Sequence, residues 1–377
     1  MATFRDNLRV EKTTPSLTIA LQSEMRRAIA AAGGWIPFDQ FMAQALYHPG
    51  LGYYANERPK FGSQDADGSD FVTAPELSGL FGQALAAQVA QALQVTGTTE
   101  VWEFGAGSGA LALQLLEALG DQVQRYCIVD LSGTLRARQQ LRLARFADKV
   151  HWVTALPATL QAVVVGNEVL DAMPVQLLAR VNGVWFERGV AWSGQVPDGA
   201  FVWQDRPTAL RPPCDIDGPH DYLTEIHPQA ESFIRTLADR LTQGAAFFLD
   251  YGFPEAEFYH PQRNTGTVMC HYQHRADPDP LALVGLKDIT AHVNFSGIAL
   301  AGQDAGLNVL GYTSQARFLM NCGLLSKMQH ATPMEQAQAL KLITEHEMGE
   351  LFKVVAFGAG PEWEPMGFTQ GDRSHTL

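Results

Sequence analysis

From Glu100 onward, short runs rich in β-branched and aromatic residues alternate with helical stretches, and that alternation restricts the fold more than any other feature. TEVWEFGAG reads as a strand ending in glycines, followed by the helical ALALQLLEALG. VQRYCIVDLS, KVHWVTAL and QAVVVGNEVL are further strands, with TLRARQQLRLARF as a helix between the first two. The pattern resumes with the helix HPQAESFIRTLADRLTQG and the strand AAFFLDYG. Strand and helix in this order predict an α/β chain with a parallel sheet covered by helices.

GVWFERGVAW and AFVWQD interrupt the pattern and read as antiparallel strands inserted at about 180–220. The expected organisation is therefore a helical N-terminal segment with a long Gly-, Asp- and Pro-rich loop (1–95), an α/β core (96–360) and a loose polar tail (361–377). A chain of 377 residues has room for that core plus insertions. No apolar run reaches the roughly 20 residues a membrane-spanning helix needs. The N-terminus shows no secretory pattern, and four widely spaced cysteines suit a reducing compartment. The expected setting is the cytoplasm, or the mitochondrial matrix in a eukaryote. A formal charge of −13 disfavours a broad nucleic-acid surface.

The turn Glu103-Phe104-Gly105-Ala106-Gly107-Ser108-Gly109 carries the sharpest local signal. Glycines at a strand end let backbone approach a ligand, and the following helix aims N–H groups at it. Gly105, Gly107 and Ala110 satisfy the GxGxxA pattern of dinucleotide binding. Gly105, Gly107 and Gly109 with Glu103 equally satisfy the (D/E)xGxGxG pattern of S-adenosyl-L-methionine (AdoMet) methyltransferases. Asp130, at the end of the next strand, can accept both hydroxyls of a ribose, which either cofactor carries. Glu103 separates them, since an acid there favours the ammonium of a methionine and repels a pyrophosphate. The reading is AdoMet over NAD, with Ala106 and Leu131 beside the turn and the acid.

Val163-Val164-Val165 runs into Gly166, Asn167, Glu168 and, three positions on, Asp171. In such a sheet ligands bind beyond the carboxyl ends of the strands, so this acidic tip should share the crevice with the glycine turn. Glu168 and Asp171 could grip a guanidinium fork, and Asn167 could fix the acceptor or the methionine end. Asp171 could equally cap a helix beginning at Ala172. Thr73 and Glu76 stand at capping-box spacing, with a place near the cofactor as the alternative. Asp250 is expected to bind substrate or cap a turn.

EFGAGSG, IVDLSGTLRARQQ, GNEVLDAMPVQ, FLDYGF and DITAHV, with YHPGLGYY and DFVTAPELSGLFG before them, resemble the MidA-like methyltransferases over about residues 35–325. That group includes a mitochondrial complex I assembly factor that dimethylates an arginine. The resemblance implies a seven-stranded, Rossmann-like AdoMet-dependent methyltransferase sheet and cofactor contacts at Glu103, Gly105, Gly107, Gly109 and Asp130. It also makes His292 a candidate site residue and an arginine-bearing protein, such as a complex I subunit, the implied partner. Met269 and Asn294 stand where the family often has Arg and Asp.

Two metal readings are weak. Asp65, Asp67, Ser69 and Asp70 with Glu76 mimic a calcium loop but lack its glycine, and Cys270, His271 and His274 lack a fourth zinc ligand. No resident metal is expected. A small-molecule methyltransferase, a non-catalytic assembly factor and an NAD oxidoreductase remain the rival readings.

Overall fold

The computed structural model describes residues 3–56, 58, 72–130, 133–195, 199–273 and 275–377. Leu131, the Asp65–Asp70 loop and His274 lie outside the described residues, so the readings placed on them have no structural counterpart here.

Seven strands form the central sheet: β1 (Glu100–Phe104), β2 (Arg125–Val129), β3 (Val150–Val153), β4 (Leu160–Asn167), β5 (Leu241–Phe253), β6 (Asn308–Ser314) and β7 (Phe352–Ala359). Their order is β6-β7-β5-β4-β1-β2-β3, and a two-residue strand, Val293–Asn294, adds to β5 off that path. The five strands β3, β2, β1, β4 and β5 run parallel, while β7 is antiparallel to both β5 and β6. The chain steps outward from β1 through β2 to β3, then returns to β1's other side with β4. That reversal opens a crevice at the tips of β1 and β4.

The β-branched runs are continuous because both faces of the sheet are covered. Along β4, Val163 and Val165 enter one core with Leu85, Leu115 and Phe318, while Ala162 and Val164 enter the other with Ile234, Phe295 and Ile298. Helices Gly79–Thr96, Ala110–Leu119 and Pro333–Ile343 supply the first face, and Pro228–Arg240 and Phe295–Asp304 the second. Helix Gly79–Thr96 is well bounded. The Ser78 hydroxyl accepts the Leu80 N–H at 3.3 Å, and left-handed Gly97 (φ 66) ends it. This helix belongs to the core of the central sheet, so the boundary drawn at residue 95 does not separate two packing units.

The insertion is larger than the sequence pattern indicated. Gln176–Val181, Val184–Ser193, Ala200–Pro207 and Tyr222–Ile226 form an antiparallel sheet that Trp35–Pro37 joins from the N-terminal segment. A three-stranded sheet, Met269–Tyr272, Arg275–Asp277 and Asp288–Thr290, follows β5. Leu21, Met25 and Ile29 of helix Thr3–Ala31 and Phe38, Phe41 and Met42 of helix Phe38–Tyr47 share one core with Val190, Phe201 and Ile289 from these sheets.

The C-terminal residues correct the expectation of a loose tail. Phe368 is buried against Phe318, with ring centroids 5.4 Å apart, and fills the space beside Gly311. Asp372 accepts the Tyr312 N–H at 2.9 Å, and Arg373 pairs with Glu350. One aromatic side chain and two charged ones anchor an otherwise polar stretch. F368A should therefore cost about 3–5 kcal/mol, read as a lower urea midpoint at unchanged slope. A cost below about 1 kcal/mol would mean the tail is not part of the core.

Candidate functional site

The tips of β1 and β4 open into a cavity of about 1040 Å³. Glu103, Gly105, Ala106, Gly107, Asp130, Thr73, Asn167, Glu168, Asp171 and His292 all line it. Gly109 does not. It serves as the left-handed (φ 81) start of helix Ala110–Leu119, where an added Cβ would come within 3.4 Å of Gln139. Gly105 and Gly107 are also left-handed, at φ 65 and 53, so three such residues in five positions demand glycine.

At the β1 end, Glu103 is buried and accepts the Tyr126 hydroxyl at 2.7 Å. Burial pushes its carboxyl up to about 8, the Tyr126 bond acts in the opposite sense, and nearby Asp130 adds to the rise. Gln139 ties the two halves of this end together. Its Nε2 donates to the Gly107 carbonyl at 2.9 Å and to Asp130 Oδ2 at 2.8 Å, while its Oε1 accepts Trp152 Nε1 at 2.8 Å. Glu76 does not form the capping box its spacing proposed. Thr73 begins helix Ala74–Leu77 without a side-chain cap bond, and Glu76 Oε1 instead accepts from the Ser108 hydroxyl and from Arg142 at 2.9 Å. The cationic Arg142, brought near by the helix after β2, outbids the local backbone N–H.

At the β4 end, Gly166 lies against the Phe248 ring, which an added Cβ would meet at 2.8 Å. Asn167 Nδ2 donates to Glu168 Oε1 at 2.9 Å. Burial pushes the Glu168 carboxyl up to about 8, with the Asp171 charge next; the Asn167 and Ala74 hydrogen bonds act the other way. Asp171 is buried and raised to about 6 by desolvation, against a hydrogen bond from the Tyr251 hydroxyl. No helix begins at Ala172, so Asp171 is not the helix cap it could have been. Asn167 Oδ1, Asp171 Oδ1 and His292 Nδ1 are buried without a hydrogen-bond partner. Burial, with Arg263 and Lys353 nearby, lowers His292 to about 4, so its imidazole is neutral at ordinary pH.

Asp250 sits inside β5, not at its end, and does not line the cavity; its Oδ2 accepts the N–H groups of Val169, Leu170 and Asp171 at 3.1, 2.8 and 3.2 Å. Asn294 caps helix Phe295–Asp304 through the Gly297 N–H at 3.3 Å, whereas Met269 lines the cavity.

Sequence patterns did not single out Tyr47, Tyr54, Asp288 or Gln139; Tyr251, expected with Asp250 at a strand end facing the crevice, does line the cavity. Tyr47 donates to the Ala172 carbonyl at 2.8 Å and stacks on Tyr54, which donates to Asp288 at 2.8 Å. YHPGLGYY and DITAHV contain three of these, but neither has a spacing that declares its chemistry. Among the described residues no group of three or more His, Cys, Asp or Glu is arranged to hold a metal, and no helix is long and apolar enough to cross a membrane.

Glu168 adopts φ 53, a left-handed backbone that costs a non-glycine residue about 1–3 kcal/mol. E168G should remove that strain and raise stability by about 1 kcal/mol in thermal unfolding. A lower melting temperature would mean that the carboxyl's contacts outweigh the strain.

The family model described as "Putative S-adenosyl-L-methionine-dependent methyltransferase" matches residues 84–313. A Burkholderia thailandensis protein solved with S-adenosyl-homocysteine bound is 51% identical, covers 97% of this chain and 98% of its own, and superposes with a TM-score of 0.91. A native structure from the same organism is 50% identical over the same coverage, with a TM-score of 0.87. The human mitochondrial protein arginine methyltransferase NDUFAF7 is 27% identical over 370 residues, 86% of this chain and 80% of that protein. Its Drosophila melanogaster homolog is 27% identical over 390 residues, 90% of this chain and 85% of that protein. The cofactor is AdoMet, and the NAD alternative falls. With the family match running over residues 84–313, from before the glycine turn past both ends of the cavity, the chain belongs to the MidA-like family of AdoMet-dependent methyltransferases.

Proposed function

We propose that this methyltransferase acts on an arginine side chain of a partner protein. One observation carries the reading: Asn167 Oδ1 and Asp171 Oδ1 are buried acceptors without donors, beside Glu168, in the cavity that the cofactor turn also lines. Buried acceptors need donors. A guanidinium brings five N–H donors in a planar fork, no acceptor of its own, and a charge that carboxylates offset. The protein arginine methyltransferases among the relatives support the same acceptor.

In this reading Glu103 meets the ammonium and Asp130 the ribose diol, with Gly105, Ala106, Gly107 and Thr73 against the rest of the cofactor. Bound AdoMet supplies a methyl group on a sulfonium. Asn167, Glu168 and Asp171 hold the guanidinium plane so that one nitrogen faces that methyl, which is the orientation term of catalysis. Tyr47 and Tyr54 wall the acceptor end. Methylating a guanidinium releases one proton, and Glu168, raised to about 8, can hold it near neutral pH, whereas His292, lowered to about 4, stays neutral. A reducing compartment such as the cytoplasm fits four free cysteines. A respiratory complex I subunit is the first partner class to assay.

The test is transfer from tritiated AdoMet to arginine-bearing partner proteins, with methylarginine identified by mass spectrometry. Methyl groups found only on small molecules or on other side chains would overturn the assignment. E168Q should lower turnover about 10- to 100-fold while S-adenosylhomocysteine affinity, measured by calorimetry, stays within about twofold.

The pH dependence has a definite sign. A cationic acceptor binds the deprotonated carboxylates, so with Asp171 at about 6 and Glu168 at about 8 its affinity should rise as pH increases across that interval. In E168Q only the lower step should remain. A flat KM between those limits would show that neither carboxyl grips a cation.

A further inference from the structure

We infer that Asp250 is the positioning residue for the acceptor end of the cavity, holding the Glu168–Asp171 turn through its backbone. The inference rests on the arginine reading only for what that turn grips. Asp250 is 1% exposed and does not line the cavity, so it touches neither cofactor nor acceptor. A carboxyl buried inside a strand is costly unless hydrogen bonds satisfy it. Here they do. Oδ2 accepts the three successive N–H groups of Val169, Leu170 and Asp171, and Oδ1 accepts the Tyr251 N–H at 2.9 Å.

Three successive amides converge on one oxygen because Glu168 is left-handed, which gives the chain the concave, anion-accepting shape of a nest. The carboxyl oxygen is thus a resident acceptor at the centre of the turn. Glu168 precedes the amide triad and Asp171 belongs to its last member, so the bond set fixes their backbones relative to each other. The Glu168 N–H also donates to the Leu249 carbonyl at 2.9 Å, one residue before Asp250. The tip of β4 is therefore built on the side of β5. Burial, and then the charges of Asp171 and Glu168, raise the Asp250 carboxyl well above its ordinary value, against the Leu170 and Tyr251 N–H bonds.

D250N preserves size but not bonding. An amide has one acceptor, so in either orientation its NH2 opposes the Tyr251 N–H or the three turn N–H groups. Three readouts decide. Calorimetry with S-adenosylhomocysteine should give an affinity within about twofold of wild type, because the cofactor contacts lie on β1 and β2. Amide exchange at Val169, Leu170 and Asp171 should be at least tenfold faster than in wild type, with the β4 amides unchanged. Titration with N-acetyl-arginine amide, in the presence of S-adenosylhomocysteine, should be at least tenfold weaker than wild type.

A residue that only stabilised the fold would lower the melting temperature and leave exchange at those three amides no faster than at the β4 amides beside them, and that result overturns the proposal. Should wild type itself ignore the arginine probe, the arginine reading fails while amide exchange still judges Asp250. Should D250N not fold, amide exchange in the wild-type protein decides: Val169, Leu170 and Asp171 N–H groups must be protected although none lies in a strand ladder. Exchange at the rate of an open loop would overturn the assignment.

Discussion

β4 hydrogen-bonds on both edges at once, pairing Phe104 with Gly166 on one side and Leu249 with Asn167 on the other. The cavity descends from that double pairing. Because β1 and β4 are neighbours but not consecutive, their chains leave the sheet in opposite directions and their tips part around an open space. The register decides which residues meet there. A slip of one residue would turn Asn167 away and bring its neighbour to the same place, since side chains alternate along a strand. Alternate contacts to two separate cores, Val163 and Val165 on one face and Ala162 and Val164 on the other, make such a slip costly. The site's precision is thus secured by apolar burial several residues away from it.

The second dependence is electrostatic. Glu103, Asp130, Glu168, Asp171 and Asp288 all line one cavity, and Asp250 lies behind it. Buried like charges so crowded cannot all ionise, and burial together with mutual repulsion lifts Glu103 and Glu168 to about 8. The protein tolerates this because hydrogen bonds from Tyr126, Asn167 and Tyr251 offset part of the desolvation. A cavity of this kind takes cations more readily than any other ligand, and a sulfonium cofactor is one.

How much of this could be read beforehand differs from residue to residue. Each strand of the parallel half carries its own short β-branched or aromatic run, and the glycine turn marks the first tip, so both were legible. Gln176–Val181 was not, because QLLARV follows a turn without polar punctuation and shows no alternation. Trp35–Pro37 and Asp288–Thr290 are three residues each, too short for any period to show. Glu76 misled in an instructive way. Its spacing from Thr73 is that of a capping box, but local spacing says nothing of Arg142, which arrives from another helix. Gln139 was invisible for the same reason. One amide on a polar helix gains its role only when β2 and the glycine turn fold against it. Asp250 was ambiguous because FFLDYG reads as a strand that stops, whereas β5 continues to Phe253.

The strain at Glu168 joins these threads. A glycine would suit its backbone better, and a neutral side chain would suit the crowded acidic wall. Both costs fall on one residue, in the place where the turn must curve for three amides to reach Asp250 and where a carboxyl can face the cavity. Local preference and buried charge are each violated at a single position, and the rest of the tip is arranged to sustain the violation. Function explains it more economically than packing does, because packing alone would favour glycine. In the arginine reading, the buried Glu168 carboxyl would lose its proton to solvent as a guanidinium arrives, which would link acceptor capture to proton release.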